Sequence, residues 1–225
     1  MTQPEVQFAR TLLTKHRAIE APSTFTLLDR EWDVLPGVFS PSFTGASGLF
    51  ATWVPYPVGG SFLEIGCGTG LIAVSAALAG CRSVTATDIS AQAVCNTMSN
   101  ARRHGVDDRI RVVVSDLFNS LDGPRYDVIF WNSNFIEVPE DFVCAGPLEQ
   151  AMFDPGYAAH RRYLAGGRAH LRPGGRLLLG FSSMGNCRRL EHHATALGLR
   201  TVVVTSEVRH VPARVEYFLL EFVAS

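Results

Sequence analysis

From residue 61 onward the apolar positions fall into short unbroken runs separated by amphipathic stretches. Phe62–Ile65, Val84–Thr87, Ile110–Val114, Tyr126–Trp131 and Arg176–Phe181 read as strands, because an apolar run without polar alternation marks a strand covered on both faces. Between them Leu71–Leu78 reads as a helix closed by Gly80, and Ser90 caps a helix running through Arg103. Pro155–Leu171 reads as a helix with proline in its first turn, and Cys187–Leu197 as one that stops at Gly198. Two long strands, Thr201–Val208 and Val215–Val223, finish the chain and are joined by a short turn around Pro212. No crossover helix fits between them, so they pair antiparallel. The pattern predicts an α/β fold: a Rossmann-like doubly wound seven-stranded sheet, mostly parallel, with a C-terminal antiparallel hairpin. Ahead of it, residues 5–20 read as a helix with Val6, Ala9, Leu12, Leu13 and Ile19 at helical spacing. A hairpin over Phe25–Phe39 and a short helix over Gly48–Trp53 follow.

In a doubly wound sheet the ligand sits outside the carboxyl ends of the strands. That rule selects Gly66–Gly70, Asp88, Asp116 and Asn132–Phe135 as site candidates. Glu64-Ile65-Gly66-Cys67-Gly68-Thr69-Gly70 is a glycine turn that lets the backbone approach a ligand closely. A dinucleotide fingerprint needs a glycine three residues after Gly68, where this chain has Leu71, which argues against a nicotinamide oxidoreductase. Asp88, 20 residues after Gly68, can accept hydrogen bonds from a ribose diol, and Asp116 from an exocyclic amine. Alone, Asp88 is equally a helix cap and Asp116 a turn former. Together with the glycine turn, at three successive strand ends, they favour a nucleoside ligand.

Composition narrows the picture. Of 225 residues 47% are hydrophobic and 18% charged, with 14 Phe and three Trp, enough apolar surface for a folded core and too much for a disordered chain. No apolar run is long enough to cross a membrane, and Met1–Arg10 lacks a secretory pattern, so a cytoplasmic protein is expected. The net charge of −1 argues against nucleic acid as a partner, although residues 151–225 hold ten Arg against five acids. Arg161-Arg162, Arg188-Arg189 and His192-His193 read as solvated surface. The five cysteines form no C-x-x-C pair and stand at no zinc spacing, so no metal is expected, and they read as free thiols.

Residues 61–181 are similar to the class I S-adenosylmethionine-dependent methyltransferases. The likeness is carried by Leu63–Gly70, Thr87-Asp88-Ile89-Ser90, Ser115-Asp116-Leu117-Phe118 and Leu171-Arg172-Pro173-Gly174-Gly175. It implies S-adenosyl-L-methionine as cofactor. Glu64, Gly66, Cys67, Gly68 and Gly70 would face its methionine part, Asp88 and Ile89 its ribose, and Asp116 with the Leu117 backbone its adenine. Within that superfamily the chain most resembles the small-domain N-methyltransferases, such as the release-factor glutamine methyltransferases. Val38-Phe39-Ser40-Pro41, Ser115–Phe118 and Tyr126–Asn132 carry this second likeness. The family has N-P-P-Y/F after its fourth strand, and this chain has Asn132-Ser133-Asn134-Phe135, with both prolines replaced.

The resemblance gives Asn132 and Phe135 the catalytic roles, orienting the acceptor nitrogen and packing against its planar group, with Asn132 also at the cofactor. Phe39 and Thr44 lie near the cofactor by the same likeness. Ser133 and Asn134, freed from proline, are expected to offer polar side chains to the substrate beside Phe135. Residues 1–58 would form the lid and acceptor wall, and residues 59–225 the cofactor-binding domain. The short N-terminal region and near-neutral charge favour a small-molecule acceptor over a macromolecule. Methylation of a translation protein or RNA, and a non-catalytic cofactor-binding module, are the alternatives. Glu137, Glu140 and Asp141, beyond the acceptor loop, are candidates for a general base.

Overall fold

The computed structural model describes residues 4–123, 125–210 and 214–225. Strands β3 (Ser61–Ile65), β4 (Ser83–Asp88), β5 (Ile110–Val114), β6 (Tyr126–Asn132), β9 (Leu171–Ser182), β10 (Leu199–His210) and β11 (Arg214–Ala224) form one sheet in the order β10-β11-β9-β6-β3-β4-β5. The first five pair in parallel, and β11 is antiparallel to both β9 and β10. This is the expected α/β architecture; the turn around Pro212 lies outside the described residues. The strand order reverses between β3 and β6, which places the switch point at the glycine turn.

Side chains alternate across the sheet because the strand period is two. Phe62, Phe130 and Leu178 face one core with α2 (Ala46–Trp53) and α3 (Leu71–Leu78). Their neighbours Leu63, Ile129 and Leu177 face the other, with α6 (Ala158–Gly167) and α7 (Cys187–Ala196). Helix α4 (Ala91–Arg103) begins where Ser90 Oγ accepts from Ala93 N.

The N-terminal elements are α1 (Pro4–Arg17), shorter than expected, and the hairpin of β1 (Ser23–Leu27) and β2 (Arg30–Val34). Leu28 and Asp29 turn that hairpin in left-handed conformations. Two differences from expectation lie beyond the acceptor loop. A two-stranded parallel unit, β7 (Ile136–Val138) with β8 (Phe153–Pro155), stands there with the one-turn helix α5 (Pro147–Gln150) between its strands. Ala9, Leu12 and Leu13 of α1 pack with Ile136, Val138, Met152 and Phe153 of this unit into a third, smaller core. Pro155 consequently ends a strand instead of opening a helix. The left-handed Gly156 and Tyr157 separate it from α6, and Asp154 accepts from the first free amides, Ala159 N and His160 N.

The hairpin is tied to the sheet through α4, on a face that is polar yet buried. Asn100 Nδ2 donates to Asp33 O (2.9 Å) and Thr69 O (2.8 Å), and its Oδ1 accepts from Asp33 N (2.7 Å). Asn96 accepts from Leu35 N (2.8 Å) and donates to Asp33 O (2.8 Å). Both side chains are fully buried, so the backbone groups they serve have no water to fall back on. Asn100→Ala is expected to lower stability by about 3 kcal/mol, the penalty for orphaning several buried backbone groups. In urea unfolding it should shift the midpoint without changing the slope; a midpoint equal to wild type would contradict the tie.

Candidate active site

One cavity of about 410 Å³ opens at the carboxyl ends of the parallel strands. That volume lies within the range of small-molecule sites. Phe39, Thr44, Glu64, Gly66, Cys67, Gly68, Asp88, Ile89, Asp116, Leu117 and Asn132–Phe135 all line it. Gly70 does not. It caps α3 at φ 83°, and an added Cβ would come within 2.8 Å of Thr97, so this glycine serves backbone conformation and packing.

At the β3 end the glycine turn is held from behind. Thr97 Oγ1 donates to Gly68 O and to Cys67 Sγ, both at 3.1 Å. Gly68 itself faces open space, with nothing within 4 Å of an added Cβ and φ at 53°. Burial pushes the Cys67 thiol well up, which makes it a small apolar wall group and no nucleophile. Glu64 is buried at the base, its Oε2 accepting from Ala73 N of α3 (2.8 Å). Burial drives its carboxyl well above the ordinary range; the Ala73 amide opposes that shift, and the nearby Asp88 charge adds to it.

Asp88, at the end of β4, accepts from Gly68 N and Ser90 N, each at 2.9 Å. Burial raises this carboxyl too, against the pull of the amides of Ser90, Gly68 and Ile89. A carboxylate has about four lone-pair sites, so the oxygens retain capacity for a diol. Asp116, after β5, is engaged by Arg162, whose Nη2 donates to Oδ2 at 2.8 Å. Both side chains are more than 40% exposed, and a surface pair of this kind is worth about 0–1 kcal/mol, so it yields readily to a ligand amine. Beside it Leu117 is held in the left-handed region (φ 52°), with its carbonyl accepting from Ser115 Oγ. The residues present therefore fit a nucleoside with a cationic side arm: a glycine turn open to the cavity, a buried and a half-buried carboxyl, and an exposed acid.

The acceptor loop departs from expectation. Ser133 and Asn134 do not turn polar groups freely toward a substrate. Ser133 Oγ donates to Gly180 O (2.9 Å), which also accepts from Ser133 N (3.2 Å). Asn134 Nδ2 donates to Gln150 O and Phe153 O, both at 2.8 Å. Tyr157 OH donates to Phe135 O (2.5 Å) and accepts from Asn186 N (2.7 Å). Side-chain hydrogen bonds thus supply the rigidity that the missing prolines would give. Asn132 Nδ2 donates to Ser47 Oγ of α2 (3.1 Å), leaving Oδ1 as the amide atom available to the cavity.

Several cavity residues were silent in the sequence. Ser47, Trp131 and Asp154 line the wall, as do Phe8, Ala9 and Leu12 of α1, and Arg162, expected as solvated surface, lines it too. A buried Asp154–His160 pair (2.6 Å) lies under Trp131. Glu137, a candidate base, accepts from Asn186 Nδ2 and pairs with Arg189, and it does not line the cavity. Among the described residues no helix is long and apolar enough to cross a membrane.

The family profile "Methyltransferase small domain" matches residues 31–208. A release factor glutamine methyltransferase of Bordetella pertussis is 38% identical over 125 residues, covering 50% of this chain and 44% of the relative. A ribosomal protein L11 methyltransferase of Methylococcus capsulatus is 37% identical over 97 residues, 40% of this chain and 33% of the relative. The chain spans less than half the length of the curated relatives it matches. Among solved structures, the T. thermophilus 16S rRNA N2 G1207 methyltransferase, in complex with AdoMet and guanosine, aligns with a TM-score of 0.59 at 22% identity, over 91% of this chain and 50% of that one. That likeness bears on the fold. These relatives are named for protein or RNA substrates, which overturns the expected preference for a small-molecule acceptor and the argument from net charge against nucleic acid. The profile runs from β2 to β10 and takes in every strand end facing the cavity, so the chain belongs to the methyltransferase small-domain family of class I enzymes, whose cofactor is S-adenosylmethionine.

Proposed function

We propose that the chain methylates a nitrogen on a macromolecule, in the first place a side-chain nitrogen of a translation protein. The observation that carries this reading is Asn132 on the wall of the cofactor cavity, its Nδ2 held by Ser47 and its Oδ1 left for an acceptor N–H. The named relatives supply the macromolecular class. When bound, S-adenosylmethionine would supply a methyl group activated on a sulfonium; the N–C bond forms as the S–C pair leaves on sulfur, the nitrogen gives up its proton to solvent, and displacement at that carbon depends chiefly on alignment. Gly66–Gly68, Glu64, Asp88 and Asp116 hold the cofactor. Accepting an N–H at Asn132 Oδ1 localises the acceptor's lone pair away from the hydrogen bond, and Phe135 packs on the planar group. Among the described residues, 4–58 serve as acceptor wall, with Phe8, Leu12, Phe39 and Thr44 on the cavity.

A second reading, RNA as the acceptor, draws on the surface beside the cavity. Arg162 lines the opening, while Arg161 on the same helix and Arg188 on the adjoining α7 are exposed without an ion pair among the described residues. Phosphate contacts of that kind weaken steeply with salt.

Labelled methyl groups from S-adenosylmethionine, offered with host extract, are expected in the macromolecular fraction and to be released by protease. Release by ribonuclease, with strong salt dependence, would transfer the assignment to RNA. Label confined to small molecules would refute both. Asn132→Ala should lower turnover at least about 100-fold, the scale of losing a positioned hydrogen bond at a reacting centre, and leave cofactor affinity within a few-fold. Ser47→Ala should lower turnover about tenfold, equivalent to one modest hydrogen bond. Cofactor binding should also respond to pH. Glu64 and Asp88 hold protons more tightly than ordinary carboxyls in the free cavity, and a cation favours their charged forms. Binding therefore releases protons, and affinity rises with pH above the ordinary carboxylate range until the raised values are passed. Calorimetry in buffers of different ionisation enthalpy measures that release, which Glu64→Gln should reduce.

A further inference from the structure

Trp131 is 6% exposed, yet it lines the cavity. Its ring is fixed by His160 (centroids 4.9 Å apart) and Tyr163 (5.2 Å), and its Nε1 lies at the glycine turn, 3.2 Å from where a Cβ on Gly66 would stand. A buried indole N–H ordinarily finds an acceptor. Trp32 Nε1 does so, donating to Leu27 O at 2.9 Å. Trp131 Nε1 has no acceptor among the described residues, and it is not one of the sealed polar atoms such as His160 Nε2 or Asn134 Oδ1, so the cavity reaches it. It is an open donor held at one point of the wall.

The surroundings define what that donor can meet. β3 and β6 are neighbours, with Ile65 opposite Trp131, so Gly66 and Asn132 stand side by side at the switch point. Asp88 and Asp116, at the ends of β4 and β5, mark the nucleoside end, which leaves the amino-acid end of the cofactor to β3 and β6. That end carries an ammonium and a carboxylate. Glu64 on the wall suits the ammonium. The carboxylate needs donors, and three amides of the turn are already taken: Cys67 N donates to Thr87 O (2.9 Å), Gly68 N to Asp88 Oδ2 (2.9 Å) and Gly70 N to Cys67 O (2.7 Å). Arg162, the one Lys or Arg among the described residues that line the cavity, pairs with Asp116 at the opposite end.

We infer that the Trp131 indole N–H donates to the α-carboxylate of S-adenosylmethionine. This inference rests on the proposed cofactor site and is independent of the acceptor. An indole is donor-only, so it matches a carboxylate and has nothing to offer the ammonium. Being neutral, it grips the carboxylate without placing a second positive charge beside the sulfonium. Nucleosides that lack the carboxylate leave this donor unpaired in a nearly dry wall, which makes Trp131 a selector for the complete amino-acid arm.

The test uses the intact protein and reads binding, independent of methyl transfer. It compares S-adenosylhomocysteine with its decarboxylated analogue, which keeps the adenosine, the sulfur and the amine. The three tryptophans give three indole N–H signals in nitrogen-15 NMR, and that of Trp131 is assigned through its own backbone. S-adenosylhomocysteine is expected to move this proton downfield, toward a charged acceptor, and the decarboxylated analogue to lack that displacement. By calorimetry Trp131→Phe should weaken S-adenosylhomocysteine about tenfold or more, the scale of a hydrogen bond to a charged group, and narrow the gap between the two ligands by the same factor. Equal displacements with both ligands, or a gap that the substitution leaves intact, would overturn the inference. If Trp131→Phe does not fold, the wild-type NMR comparison decides alone. Wild-type protein that binds neither ligand removes the cofactor site and the inference together, whereas binding without preference for the carboxylate removes the inference only.

Discussion

Asn96 and Asn100 stand one turn apart on the face of α4 that is turned into the protein, where an apolar pair would be the ordinary choice. Between them they satisfy the amide and carbonyl of Asp33, the amide of Leu35 and the carbonyl of Thr69. Thr97, between the two, secures Gly68 and Cys67. One helix face therefore fixes both the glycine turn and the chain leading to Phe39 and Thr44, and the distance between those two walls sets the width of the cofactor end. An apolar face could bury as much area, but it could not specify which backbone atoms meet. Directional bonds in a dry interior do that, because the alternative registers leave polar groups unpaired.

The loop Asn132–Phe135 is organised on a different plan. There the backbone is fixed by side chains of its own loop reaching outward to β9, to α5 and β8, and by Tyr157 reaching in from the start of α6. Exposed charges reinforce the first plan only at its margin, where Arg103 of α4 pairs with Glu31 and Asp33 of the hairpin. The visible ion pairs at the site, Arg162 with Asp116 and Arg189 with Glu137, lie at its edge, where solvent weakens them.

The sheet was legible because unbroken apolar runs such as Phe62–Ile65 and Tyr126–Trp131 have one physical use, and the glycine turn because its spacing excludes a competing ligand. Asp88 was legible as a residue at a strand end, a place that the topology makes special. What stayed hidden was the direction of side chains. Asn96, Thr97 and Asn100 look like a solvent-facing stripe until the hairpin is laid over them, and Ser133 and Asn134 look available until Gly180, Gln150 and Phe153 are brought alongside. The β7–β8 unit was missed because three-residue strands carry no period, and the start of α6 because Pro155 imitates a first-turn proline while the left-handed Gly156 and Tyr157 delay the helix. Net charge misled about the partner: it is a sum over the chain, whereas a partner meets one face of it.

Proline rigidity is internal to a loop, whereas the rigidity of Asn132–Phe135 is borrowed from its neighbours. Phe153 O, which holds Asn134, belongs to β8; β8 is paired with β7, and α1 lies over both. Any shift of α1 thus has a mechanical route of packed side chains and one hydrogen bond to Asn134 and the cavity wall. In a proline-locked loop that route would be insulated. Here the geometry of the loop follows the packing beneath α1, so a substitution in that small third core is felt at the cavity wall.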